Sequence, residues 1–224
     1  MANYEKLDHW SLKAQKEGYP ARSVYKLKEM DEKFGLLPAG RAGGRGKSGA
    51  DSGNQSTGGG RSPFRVLDLG AAPGSWSLYA LRKLGSDIFL SAADLSPLSR
   101  QYDKGLFDAD NVFFIQGDIT AAETREALIS HGPYRLLMSD AAPATTGNRS
   151  VDTLRSLGLA EAVLDYAEAA LEKGGNLALK VFQGGDTAEI LKRIRELFKT
   201  GKSFKPAACR SESFETYYLG LDRR

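Results

Sequence analysis

The sequence predicts an α/β domain of the doubly wound kind, a mostly parallel sheet with helices on both faces. Three observations carry that prediction. Six short apolar runs recur between residues 64 and 221, separated by amphipathic stretches, which is the alternation of repeated strand–helix units. Four aspartates, Asp68, Asp94, Asp118 and Asp140, fall at or just beyond the ends of four successive runs, spaced 26, 24 and 22 residues apart. The first run also opens into Gly70-Ala71-Ala72-Pro73-Gly74-Ser75, a turn of small residues at the head of a helix. Such a turn lets backbone approach a ligand closely.

The elements follow in order. Val24, Leu27, Met30 or Asp31 and Phe34 form a helical stripe after Pro20, so a short helix is expected over about 22–34 in an arm spanning 1–39. Residues 40–62 hold nine glycines in 23 positions and no apolar side chain larger than alanine. Nothing there offsets the entropy of ordering it, so it reads as a flexible insertion ahead of a main domain at 63–224. The strand candidates are FRVLDL (64–69), IFLSAA (88–93), VFFIQ (112–116), YRLLMS (134–139), NLALKVF (176–182) and TYYLGL (216–221). Leu157, Ala160, Val163, Leu164, Ala167 and Leu171 line one helical face, with Gly174-Gly175 as its stop signal. Ile190, Leu191, Ile194, Leu197 and Phe198 line another.

Composition narrows the class. With 224 residues, 41% hydrophobic and 26% charged, the chain suits one globular domain. No apolar run approaches the roughly 18 residues that cross a bilayer, and the start MANYEKLDHW lacks an apolar signal core, so a soluble, cytoplasmic protein is expected. A lone cysteine, Cys209, excludes an internal disulfide, and two histidines, His9 and His131, make no zinc cluster, so no metal is expected. Charge is divided unevenly. Residues 1–47 carry 10 Lys/Arg against 6 Asp/Glu, residues 192–224 carry 9 against 4, and the middle carries 12 against 18. Basic ends around an acidic centre suit a polyanion such as RNA, although solvated surface charge gives the same counts.

In a parallel sheet the carboxyl ends share one edge, so the four aspartates would converge on one crevice there. Taken singly, each is equally a helix cap or turn residue. A dinucleotide loop prefers G-x-G-x-x-G, but here the middle glycine is Ala72, and Pro73 lacks an N–H, which disfavours a pyrophosphate. Asp94 is placed to bond ribose hydroxyls and Asp118 to accept from an adenine amino group. NAD and S-adenosylmethionine share those demands, and only the latter needs no phosphate cradle. Lys180 interrupts Leu177, Ala178, Leu179, Val181 and Phe182, a run that reads as a strand buried on both faces. An ammonium there is costly without a partner or a role, unless it snorkels from the strand end.

DLGAAPGSW, AADLSP, QGDI, SDAAP and LALKVFQG, in this order, with SVYKL upstream and SFETYYLG downstream, resemble the ribosomal RNA ribose 2′-O-methyltransferases of the FtsJ/RrmJ (RlmE) type. The resemblance covers nearly the whole chain. It implies a Rossmann-like methyltransferase fold with a seven-stranded sheet and a reversed last hairpin, S-adenosylmethionine as donor, and a Lys-Asp-Lys-Glu catalytic tetrad. That tetrad falls on Lys26, Asp140, Lys180 and Glu215. Donor contacts fall on Gly70, Gly74, Trp76, Asp94, Asp118 and Asp140, although Trp76 equally suits a core residue. The implied reaction is methylation of a uridine ribose in large-subunit (23S) ribosomal RNA, free or in the subunit, and a monomer is the default expectation.

The chemistry gives such a tetrad a use. A ribose 2′-hydroxyl is a weak nucleophile, so methyl transfer needs near-linear alignment and a group to take the proton. Lys180 is the candidate base, with Asp140 and Glu215 orienting the lysines and the ribose. Basic residues of the arm and the tail, such as Lys6, Lys13, Lys28, Lys192 and Arg193, would hold RNA phosphates, and Tyr19 and Tyr25 would stack on a splayed base. Transfer RNA or cap substrates, and an inactive RNA-binding assembly factor, are the competing readings. The insertion at 40–62 departs from the family's short connection.

Overall fold

A computed structural model of the chain describes residues 8–39, 62–184, 187–210 and 213–224. The glycine-rich stretch at 40–62 lies, but for Ser62, outside the described residues. The arm contributes α1 (His9–Lys16) and α2 (Val24–Phe34). The rest alternates β1 (Phe64–Leu69), α3 (Ser75–Leu84), β2 (Ile88–Asp94), β3 (Val112–Gln116), α4 (Ala122–Ser130), β4 (Tyr134–Ser139), α5 (Arg149–Ala170), β5 (Leu171–Phe182), α6 (Thr187–Leu197), β6 (Phe198–Phe204) and β7 (Glu215–Arg223).

These seven strands form one sheet in the order β3-β2-β1-β4-β5-β7-β6. Strands β1 to β5 pair in parallel, while β7 runs antiparallel to both β5 and β6. Both faces are covered, as the near-continuous apolar strands require. On one face Val66, Leu90, Leu136, Met138, Ala178 and Tyr217 pack with the helices of the arm and α3. On the other, Leu67, Leu69, Leu137, Leu177, Leu179 and Val181 pack with α5 and α6.

The arm is part of that core. Val24, Leu27 and Met30 of α2 are fully buried, each stabilising the fold by about 1.5–3 kcal/mol. Gly35 at φ +64 ends the helix in a left-handed cap. Asp31, which shared a place with Met30 in the expected stripe, instead anchors the arm to α3. Its carboxylate accepts from Leu37 N at 2.8 Å, from the Tyr79 hydroxyl at 2.7 Å and from Lys83 Nζ at 2.5 Å.

Several boundaries differ from the sequence reading, and Leu171 and Phe198, both expected on helical faces, instead open β5 and β6. The helix expected to reach Gly174-Gly175 ends at Ala170, and β5 begins at Leu171, which pairs with Tyr134 before a shift in the ladder brings Leu136 opposite Asn176. A bulge thus absorbs the two glycines. Strand β6, Phe198–Phe204, has no apolar run. It is an edge strand whose exposed positions carry lysine, as edges that must not recruit further strands do.

Candidate active site

The carboxyl ends of β1 to β5 share one edge of the sheet, and β7, running the other way, delivers its first residue to that same edge. Register then fixes what meets there. Lys180 pairs with Tyr217 and Phe182 with Glu215, and opposed residues of an antiparallel pair lie on one face. Asp140, the residue after β4, stands beside them. Lys180 Nζ lies 3.2 Å from Asp140 Oδ1 and donates to the Asp140 carbonyl at 2.5 Å. The Tyr217 hydroxyl donates to the same carboxylate oxygen at 2.6 Å. From α2, Lys26 Nζ reaches Glu215 Oε1 at 2.8 Å and lies 5.7 Å from the Tyr217 ring centroid.

The structure therefore brings Lys26, Asp140, Lys180 and Glu215 together as two ion pairs that share Tyr217. Their side chains are 11%, 18%, 9% and 13% exposed, sheltered yet reachable from the crevice. Burial alone would raise the Asp140 carboxyl, but the charges of Lys180 and Lys26 and the Tyr217 hydrogen bond outweigh it and hold the group below its usual value. Burial works against the Lys26 ammonium, and the charges of Asp140 and Glu215 more than offset that, so Lys26 stays protonated. Burial, with the charge of Asp140 next, pushes the Tyr217 phenol far up, which keeps it a hydrogen-bond donor. Burial and Glu215 push the Cys209 thiol up to about 12, leaving it protonated and unreactive.

A cavity of about 390 Å³ opens beside Lys26 and Glu215, lined also by Arg22, Ser23, Arg210 and Ser213. On the other side of the tetrad lies the turn after β1. Gly70, at φ +75, sits so close to the exit of the neighbouring strand β4 that a Cβ there would lie 2.5 Å from Ala141 Cα. Gly74, at φ +103, caps α3, and a Cβ on it would lie 2.8 Å from the Phe107 ring. Both glycines are thus required by conformation and by space. Gly70→Ala should lower the melting temperature by an amount equivalent to about 1–3 kcal/mol and weaken donor binding at least tenfold, as thermal melts and calorimetric titration with S-adenosylmethionine will show.

The remaining expected contacts are placed unevenly. Asp94, at the end of β2, accepts from Ala72 N at 2.9 Å and Ser96 N at 2.8 Å, which ties it to the turn. Asp118 follows β3 in the open, its Oδ1 accepting from the Thr120 N–H and hydroxyl, each at 2.8 Å. The Thr120 backbone bond holds its carboxyl below the usual range. Trp76 is 2% exposed, and its indole N–H donates to the Ser23 carbonyl at 2.9 Å, so the side chain joins α3 to the arm from within the core. Asp68 lies near enough to Asp94 and Asp140 to feel their charge but does not open on the crevice. It is fully buried, and its Oδ2 accepts from Ser77 Oγ at 2.6 Å.

Several cations expected to meet RNA are already paired. Arg193 is held by Glu161, Asp165 and Glu168, Lys192 by Glu189, and Lys28 by Glu17. Lys13 lies 3.9 Å from Glu17, and Lys6 is outside the described residues. Tyr19 and Tyr25 are 6% and 5% exposed, so neither offers a face to a base. Their hydrophobic rings complete the packing between α1, α2 and α3 instead.

The turn from Gly70 to Trp76 contains no lysine or arginine, while acceptors stand at the ends of β2 and β3. That combination fits a donor bearing hydroxyls, an amino group and a sulfonium, and it does not fit a pyrophosphate. With the reversed β7, it makes this the fold of the Rossmann-like, S-adenosylmethionine-dependent methyltransferases. The model of the FtsJ-like methyltransferase family matches residues 19–223, and the chain belongs to that family. It is 46% identical over 219 residues to ribosomal RNA large subunit methyltransferase E of Treponema denticola, covering 98% of this chain and 96% of that protein. The protein of the same name from Borreliella afzelii is 44% identical over 213 residues, covering 95% and 96%. A Plasmodium falciparum structure described as a ribosomal RNA methyltransferase shares the fold, with a TM-score of 0.68, 21% identity, and 92% and 98% of the two chains covered.

Proposed function

We propose that this methyltransferase modifies the 2′-hydroxyl of a uridine ribose in large-subunit (23S) ribosomal RNA, with Lys180 as general base. The observation that carries this reading is the anchoring of Lys180. Two of the three donors of its ammonium face Asp140, one bonded to the carbonyl and one paired with the carboxylate, so the nitrogen is fixed at the edge of the crevice. S-adenosylmethionine supplies an electrophilic methyl, whose carbon–sulfur bond breaks as the bond to the ribose oxygen forms. Lys180 Nζ takes the hydroxyl proton as the oxygen attacks, and Asp140 steadies the ammonium that results. Lys26, held charged by Asp140 and Glu215, favours the negative charge that develops on the oxygen. Glu215 keeps Lys26 in place and accepts from the ribose. The cavity beside Lys26 and Glu215 receives the acceptor nucleotide, and Arg210 on its wall suits a phosphate, while Arg22 is already held by the Asp8 carboxylate and the Ala208 carbonyl.

In this reading the arm at 1–39 belongs to the catalytic unit of 63–224, and 40–62 is a connection outside the chemistry. The names carried by the Treponema and Borreliella relatives support ribosomal RNA of the large subunit over transfer RNA or a cap. Labelled methyl transfer to isolated large subunits, free ribosomal RNA and transfer RNA tests it. The expected product is a ribose-methylated uridine from the large subunit or its RNA. Donor binding with no transfer to any of the three would instead mark an assembly factor.

A further inference from the structure

Arg149 and Phe214 form a pair outside the tetrad and the turn after β1. Arg149 is the first residue of α5, exposed, and no ion pair among the described residues holds it. Its guanidinium carbon stands 5.2 Å from the centroid of the Phe214 ring. Phe214 is itself fixed. Its carbonyl accepts from Gln183 N at 2.8 Å, and its ring meets Phe182 edge-on at 4.7 Å. It is only half-buried, and it immediately precedes Glu215, while its other neighbour, Ser213, lines the acceptor cavity. Phe214 thus stands between two residues, Ser213 and Glu215, that line the acceptor cavity.

We propose that Arg149 and Phe214 form a stacking and phosphate-binding platform for the nucleotide next to the methylated one. This rests on the RNA reading above and adds to it how the substrate strand is gripped. A ring held by neighbouring structure presents a face to a base at little cost in side-chain entropy, and any base can stack on it. An unpaired guanidinium layered on that ring joins the stack and reaches a backbone phosphate. The buried Tyr19 and Tyr25 cannot take this part. Both platform residues act on the RNA alone, so they should govern its capture and leave the donor untouched.

Steady-state transfer to isolated large ribosomal subunits, with calorimetric titration of S-adenosylmethionine, tests this. Phe214→Ala should raise KM for subunits about tenfold, keep kcat within about twofold and leave the donor Kd unchanged, and Phe214→Trp should restore KM. Arg149→Gln should reduce the slope of log binding against log salt by about one. Unchanged KM and salt slope, or a donor Kd that rises in step with KM, would overturn the platform. A wild-type protein that methylates no RNA would overturn the proposed function and this inference together. An active wild type with indifferent variants would overturn this inference alone.

Discussion

Replacing Lys180 by alanine will lower kcat for methyl transfer by about 10²–10⁴-fold, the range that a positioned general base contributes. Donor affinity should change by only a few fold, because Lys180 is bonded to Asp140, one of several expected donor contacts, and not to the turn after β1. Lys180→Arg separates charge from proton transfer. Its guanidinium keeps a cation beside Asp140 but does not give up a proton in this range, so it should be as inactive as alanine while retaining more of the wild-type stability. Single-turnover transfer, with thermal melts of all three proteins, measures both effects. An alanine variant with full transfer activity would remove Lys180 from the chemistry.

The second large effect concerns Asp68, which no step of the reaction uses. Burial, reinforced by the charges of Asp140 and Asp94 and opposed by the Ser77 hydrogen bond, pushes its carboxyl up to about 7. Its Oδ1 is buried without a hydrogen-bond partner, which fits a group that prefers to be neutral. In the unfolded chain an aspartate titrates near 4, so between about pH 4 and pH 7 the native protein binds the extra proton. Stability from this group is therefore complete below about pH 4 and is lost as pH rises to about 7. The roughly three pH units between the two titrations correspond to at most about 4 kcal/mol. Asp68→Asn removes that dependence. Relative to the wild type, the variant should gain up to that amount between pH 4.5 and pH 8, read from urea unfolding at each pH. A constant difference at both pH values would show that Asp68 is already ionised in the native state.

Much of the sheet was legible because its strands are buried on both faces. Apolar runs with abrupt polar ends gave β1, β3 and β4 to the residue, and Lys180 stood out because a charge inside such a run demands a reason. Elements stabilised by a single face were not. Strand β6 offers Lys199, Lys202 and Ser203 to solvent, and α1 buries only Ala14 fully, so neither carries a strong period. Within the site, Lys26 and Glu215 look like surface charges one at a time. Only the return of β7 between β5 and β6 joins residues 189 positions apart. Tyr217 went unnoticed for the same reason. The signal available was its place two residues beyond Glu215, on the same face of one strand. Trp76, Tyr19 and Tyr25 show the opposite error, since a sequence marks an aromatic ring without saying whether tertiary packing will cover it.

The strand that carries Glu215 is synthesised after β6 yet lies inside it in the sheet. While the chain is emerging from a ribosome, β5 must therefore wait beside an open gap, and Lys26 remains without its carboxylate partner. No shorter intermediate can hold all four charged groups in register. Assembly of the four groups therefore waits on one late event, the pairing of β7 between β5 and β6.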